Sequence, residues 1–363
     1  MTRWIGLGLA GVLAVAVGAA IVISVIPKIH PAAPLTVVRG VIGSEKLPYF
    51  QDPGVIQTFR DNGFDVQVDT AGSRQIATTV DLSKYDFAFP AGVPAATKIK
   101  ADHKAKTLYS PFYTPMAIAT FKPIVQLLIG AKVAKDNGSY VSFDMKAYLD
   151  LVAKTTRWSD IAGNTTYPAT KSILITSTDV RTSNSAAMYL SIASYVANGD
   201  NIVQDATQAG AVLPAVEPVF LRQGLTASSS EEPFQDYLSI GIGKTPMVMI
   251  YEAQFLAEAA KTGGGGITKD MVLMYPDPDV LSKHTVVPLT PNGDRVGQLL
   301  LNNSTLQNLA TKYGFRTNDQ AAFNKFLTAH NLTTPSLVNL IEPPTFENLE
   351  AMITVIQQKL QGG

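Results

Sequence analysis

Three times in this chain a strand-like apolar run gives way to a small polar loop and then to a helical pattern. Leu35-Thr36-Val37-Val38-Arg39-Gly40-Val41-Ile42 ends in Gly43-Ser44-Glu45-Lys46. Phe64-Asp65-Val66-Gln67-Val68 alternates with period two and ends in Ala71-Gly72-Ser73-Arg74. Ile173-Leu174-Ile175-Thr176 breaks into a polar loop that lasts to Ser185, and Ala186-Ala187-Met188-Tyr189-Leu190 resumes as a helix. This order predicts βαβ units and an α/β fold with mainly parallel sheets flanked by helices. Each junction also leaves helix N–H groups without an intrahelical acceptor. In the third loop Ser177, Thr178, Thr182, Ser183, Asn184 and Ser185 bring further donors, and Arg181 brings a cation. An ordinary helix cap uses the same residue types, so one loop alone reads first as a cap. Three in succession point to a site at the carboxyl ends of strands, where Gly admits close backbone approach and Ser supplies a neutral donor.

The rest of the chain is consistent with such a sheet. A helix is expected over residues 53–62 with Gly63 just beyond it, another over 75–80, and strands over 85–89 and within 108–121. Helices at 122–134 and 145–154 precede the third loop, and a buried strand at 246–250 leads into a helix opening at Tyr251-Glu252-Ala253-Gln254. Residues 271–275 read as a strand, and the remainder to Leu360 as mainly helical.

With 363 residues the chain is long enough for two domains or lobes, and 46% hydrophobic with 16% charged residues marks it as globular. Lys+Arg and Asp+Glu balance at 29 each, so nucleic acid is not an expected partner. The absence of cysteine removes disulfides, thiolate nucleophiles, Cys-ligated metals and a lipid-modified cysteine anchor. Residues 4–26 carry no charge and follow Arg3. As a helix they would span about 35 Å, enough to cross a bilayer and longer than the ~7–15 residue apolar region of a cleaved leader. Small residues at Ala14-Val15-Ala16 and Gly18-Ala19-Ala20 leave cleavage open. Residues 1–28 are therefore expected to be a signal-anchor or signal peptide, an N-terminal hydrophobic helix that tethers an extracytoplasmic protein to the cell membrane or directs its secretion.

Competing chemistries lack their residues. There is no G-x-S-x-G elbow, and His30, His103, His284 and His330 sit in loop-like contexts, which argues against a hydrolase. Gly243-Lys244-Thr245 lacks the upstream glycine of a nucleotide loop: Leu238 stands there, and Pro246 and a strand follow. Asp277-Pro278-Asp279 lacks the ligand ladder of a calcium loop. No catalytic residue, metal site or cofactor is expected.

Taken in order, several motifs resemble the bacterial extracellular solute-binding proteins of the two-lobed type II periplasmic-binding fold, in particular their molybdate- and sulfate-type members. They are GSEK at 43–46, AGSRQ at 71–75, YSPFYTPMAIATFKP at 109–123, STDVRTSNSAAMYL at 177–190, VMIYEAQ at 248–254 and YPDPDVLSKHTVVPL at 275–289. The resemblance implies one lobe from residues 35–117 and 251–363 and a second from 118–250. It implies an interlobe cleft holding a small polar, anionic solute for transport or sensing, with a membrane transporter or sensor as partner. Ser44, Ser73 and Tyr251 become expected ligand contacts, and Ser183 and Ser185 cap the ligand from the second lobe, with Thr182 and Asn184 of the same loop as further candidate donors. Arg74, Arg181 and Glu252 are added as charged neighbours, and with Glu45 they depart from a purely neutral pocket. The alternative is an exported structural or interaction protein that keeps this fold and has lost its ligand.

Overall fold

The computed structural model describes residues 34–362 apart from 225 and 338; the segment expected to be a membrane anchor lies outside them. β1 (Thr36–Ile42), β2 (Phe64–Thr70) and β3 (Phe87–Phe89) form one end of the sheet in the order β2-β1-β3. β1 and β3 run parallel, with Gly40 opposite Phe87. The helix Pro53–Asp61 between β1 and β2 starts where Asp52 accepts a hydrogen bond from Gly54 N at 2.7 Å, with proline in its first turn. It ends at Asn62, and Gly63 takes φ +83°, the left-handed conformation expected just past a helix.

Two long strands organise the middle of the sheet. β4 (Tyr109–Phe121) pairs antiparallel with β9 (Asp279–Pro288) as far as Pro115. From Met116 onward it pairs instead with β7 (Met247–Tyr251), and from Ile118 also with β8 (Met271–Asp277). β9 in turn pairs with β3, while β8 continues to β6 (Val141–Asp144) and β5 (Ala134–Asp136). One strand thus hands over from the first sheet region to the second between Pro115 and Met116. Pro111 falls within a register irregularity of β4, where a missing N–H costs no ladder bond. β10 (Arg316–Thr317) closes the edge against Phe112 and Tyr113.

Separate apolar clusters lie on either side of this handover. One gathers Val38, Phe50, Phe59, Phe87, Phe112 and Val296. The larger gathers Ile124, Tyr148, Trp158, Tyr189, Met249 and Phe220. At its centre is the helix Asn184–Ala197, buried on all sides from Asn184 to Ser194. The C-terminal helix Phe346–Gly362 places Leu349, Met352, Ile353 and Ile356 in this same larger cluster.

Two expectations change. Residues 172–176 do not form a strand: only Thr176 bridges to β7, through Thr176 N to Met247 O and Met249 N to Thr176 O, both at 2.9 Å. Ile175 N turns instead to the Tyr148 hydroxyl at 3.1 Å. The stretch after residue 275, expected to be mainly helical, contains the ten-residue strand β9. Its Thr285-Val286-Val287 run is β-branched and buried, which favours an extended ladder over a helix.

Candidate ligand-binding cavity

A cavity of about 210 Å³ opens where the three polar junctions meet. Ser44, Ser73, Ser183, Asn184 and Tyr251 line it together. Tyr251 ends β7 opposite Met116 of β4, and Ser73 and Asn184 each open a helix.

The hydrogen bonding leaves donors directed at the cavity. Ser73 Oγ accepts from Ala91 N at 2.9 Å, so its own proton remains available. Ser183 is the N-cap of the helix Asn184–Ala197, yet its hydroxyl makes no capping bond; it lies 2.9 Å from Ser185 Oγ. The first N–H groups of that helix have no intrahelical acceptor. Asn184 Nδ2 donates to Tyr251 Oη and to Ser282 Oγ, both at 3.1 Å, and this fixes the tyrosine against the cavity wall. Burial raises the Tyr251 hydroxyl pKa, so it stays a neutral phenol.

The remaining expected residues have other partners. Arg74 forms two bonds to Glu350 at 2.5 Å and one to Arg181 O at 2.7 Å. Arg181 folds back on Asp179. Glu252 is buried in a bidentate pair with Arg316 at 2.7 Å. Ser185 is buried behind Ser183, 2.8 Å from Thr178 Oγ1. Thr182 contributes its backbone: a Cβ built on Gly72 would fall 2.2 Å from Thr182 O. The charged neighbours are neutralised locally and do not reach the cavity lining.

Other lining groups had weaker sequence signals. Ser228-Ser229-Ser230 precedes the helix Glu231–Ser239, a serine run that reads as a helix start, and Ser44 Oγ donates to Ser229 Oγ at 3.1 Å across the cavity. Gln75 belongs to the AGSRQ motif; its Oε1 accepts from Gly72 N at 3.1 Å. Glu45, inside GSEK, is the cavity's one ionisable carboxylate. Its Oε1 contacts Lys46 Nζ and lies 3.4 Å from His284 Nδ1, which is itself 3.1 Å from Lys46 Nζ. Burial alone would raise the Glu45 pKa, but the charge and hydrogen bond of Lys46, with His284 close by, outweigh it and hold the carboxyl well below its usual range. Burial and the Lys46 charge push His284 down to about 4, so the imidazole is neutral.

Both walls touch around the cavity. Besides the Gly72–Thr182 approach, a Cβ on Gly92 would lie 2.3 Å from Asn184 Oδ1. These glycines are needed for contact across the cleft, since neither has a positive φ.

Solved structures with the same architecture decide the fold. The sulfate-binding protein SubI of Mycobacterium tuberculosis superposes with a TM-score of 0.54 at 15% identity, covering 89% of this chain and 99% of that one. The chain has the type II periplasmic-binding fold. Iron-bound HitA of Pseudomonas aeruginosa matches with a TM-score of 0.54 at 11% identity, over 90% and 99% of the two chains. The apo ferric ion-binding protein A of Pasteurella haemolytica matches with a TM-score of 0.53 at 11% identity, over 90% and 96%. SubI and the ferric ion-binding protein A are binding proteins by name, for sulfate and ferric ion respectively. No protein-family model matches the sequence, and no curated protein does.

Proposed function

We propose that this protein is an extracytoplasmic solute-binding protein that closes its two lobes around a small polar solute and presents it to a membrane transporter or sensor. The observation that carries this reading is the convergence of Ser44 and Ser73 from one side with Ser183 and Asn184 from the other on a single cavity. Hydroxyl, amide and helix N–H donors hold an acceptor-rich or anionic group without a cation in the lining. Contacts made by both walls give the closed form the differential affinity that drives closure. The lobes divide as residues 35–117 with 251 onward, and 118–250, the C-terminal helix packing with the second. The N-terminal apolar segment supplies export or anchoring.

The test is thermal shift and isothermal titration with oxyanions, carboxylates, amino acids and sugars. A bound solute raises the melting temperature with its excess over Kd. Ser73→Ala and Tyr251→Phe are expected to weaken that solute about tenfold each, the scale of one hydrogen bond to a charged group. Unchanged affinity in both overturns the site assignment. Silence across the panel favours an exported interaction protein that has lost its ligand.

A further inference from the structure

A second cavity, of about 560 Å³, adjoins the polar one, and Glu45 and Tyr251 line both. Its walls are dominated by Pro48, Phe234, Ala253, Ala257 and Phe315. Phe234 belongs to the helix Glu231–Ser239 of the second lobe, whereas Ala253 and Ala257 lie on the helix Glu252–Ala259. The charged groups at its margin are already engaged. Lys261 pairs with Glu258 at 2.5 Å and Lys312 with Asp52 at 2.7 Å. Glu231 accepts from Gln235 at 2.8 Å and from Gln254 at 3.3 Å. A space of this size whose lining surface is mainly apolar suits an uncharged organic moiety.

Glu45 stands where the two cavities meet. Its Oε1 is taken by Lys46, and among the described residues no group donates to Oε2. A fully deprotonated inorganic oxyanion has no proton to offer this oxygen and is repelled by its charge. A ligand suited to the whole space therefore has three parts: an acceptor-rich end for the hydroxyls, a cationic donor for Glu45, and an apolar body.

We infer that the solute is an α-amino acid with a large apolar side chain, an assignment that rests on the solute-binding reading above. The carboxylate lies among Ser44, Ser73, Ser183 and the first N–H groups of the helix Asn184–Ala197. The ammonium donates to Glu45 Oε2, and the side chain passes Tyr251 into the larger cavity.

The experiment titrates the full-length chain at pH 7 with L-leucine, L-phenylalanine, glycine, N-acetyl-L-phenylalanine and sulfate. L-Leucine or L-phenylalanine is expected to bind at least tenfold more tightly than glycine, sulfate or the N-acetyl derivative, which lacks the cation. Ala257→Phe fills the apolar space from a half-buried position and should weaken the apolar amino acid at least tenfold while leaving glycine unchanged. Glu45→Gln should weaken every amino acid; because it also leaves Lys46 without its acid, the N-acetyl probe tests the same contact with the native chain. Equal binding of the N-acetyl derivative, or no effect of Ala257→Phe, overturns the inference. Sulfate bound with both apolar amino acids ignored also overturns it while leaving the solute-binding reading intact. No binding by these probes or by the wider panel overturns both.

Discussion

Arg74 and Glu350, 276 residues apart in sequence, form a bidentate pair, Nε to Oε1 and Nη2 to Oε2, each at 2.5 Å. Arg74 follows Ser73, which lines the cavity, at the start of the helix Ser73–Thr78. Glu350 lies on the C-terminal helix, whose apolar side is in the same core as the helix Asn184–Ala197. The third bond of the guanidinium, to Arg181 O at 2.7 Å, reaches the loop that leads to Ser183. An arginine expected to contact ligand thus joins two walls of the cavity, and Arg supplies the planar fork this bidentate geometry needs.

Removing the pair should favour the open form. Both side chains are about one-fifth exposed, so solvent screening limits the pair to about 1 kcal/mol. Glu350→Gln and Arg74→Ala are each expected to lower ligand affinity about fivefold, and the double variant no further than the stronger single one. Titration gives the affinities, and small-angle scattering should show a larger radius of gyration in the ligand-free variants. Additive losses would show that the two residues act separately.

Gly72→Ala tests the close approach from the other side. Its φ of −63° suits any residue, so the only obstacle is Thr182 O, 2.2 Å from the added carbon. Backbone cannot swing aside as a side-chain tip can, and the methyl should act as a wedge between the lobes. The expected outcome is at least a tenfold loss of affinity with the melting temperature of the ligand-free protein nearly unchanged. A large drop in that melting temperature with intact affinity would place the contact within a lobe core instead.

Much of this arrangement was legible in local sequence. The alternation at residues 64–68, the Asp52–Pro53 start and the Gly63 stop set β2 and the preceding helix, because period, cap and left-handed glycine are local properties. Ser44, Ser73, Ser183 and Asn184 could be grouped because strand ends in an α/β sheet share one edge, whereas Tyr251 joined them only through the family resemblance. Residues 172–176 misled because an apolar β-branched run fits equally a strand or a buried extended segment, and only its neighbours settle which. The partners of Arg74, Arg181 and Glu252 were harder still. Two of the three, Glu350 and Arg316, lie 276 and 64 residues away, and no local pattern links a charge to so distant a counter-charge.

Glu252 and Arg316 are both almost fully buried, so this pair has a different role from the partly exposed Arg74–Glu350 pair. Burial raises the Glu252 pKa, and the Arg316 charge and hydrogen bonds oppose it. Glu252→Ala leaves the guanidinium buried without a counter-charge, and a cost of about 3–5 kcal/mol is expected. Urea unfolding should show the loss as a lower midpoint. Ligand affinity measured on the folded variant should stay within about twofold of the parent, since neither side chain lines the polar cavity. A selective loss of affinity at unchanged stability would return Glu252 to the ligand site.

His284 sets an acid limit on stability. Its imidazole is enclosed by Phe112, Phe315 and Tyr251, with centroids at 5.5, 5.1 and 5.8 Å, and Lys46 Nζ is 3.1 Å from Nδ1. In the unfolded chain it takes up a proton below its ordinary 6.5, whereas in the folded protein it stays neutral down to about 4. Between these values the unfolded state binds the extra proton, so stability is full above pH 6.5 and falls as pH drops toward 4. At about 1.4 kcal/mol per pH unit the loss approaches about 3 kcal/mol. Glu45, held low beside Lys46, adds a further loss below its ordinary 4.5. His284→Gln keeps an acceptor for Lys46 and removes the titration, so its urea midpoint should vary little between pH 6.5 and 4.5 and still fall below that. The same slope in parent and variant across the upper window would assign the acid sensitivity to other groups.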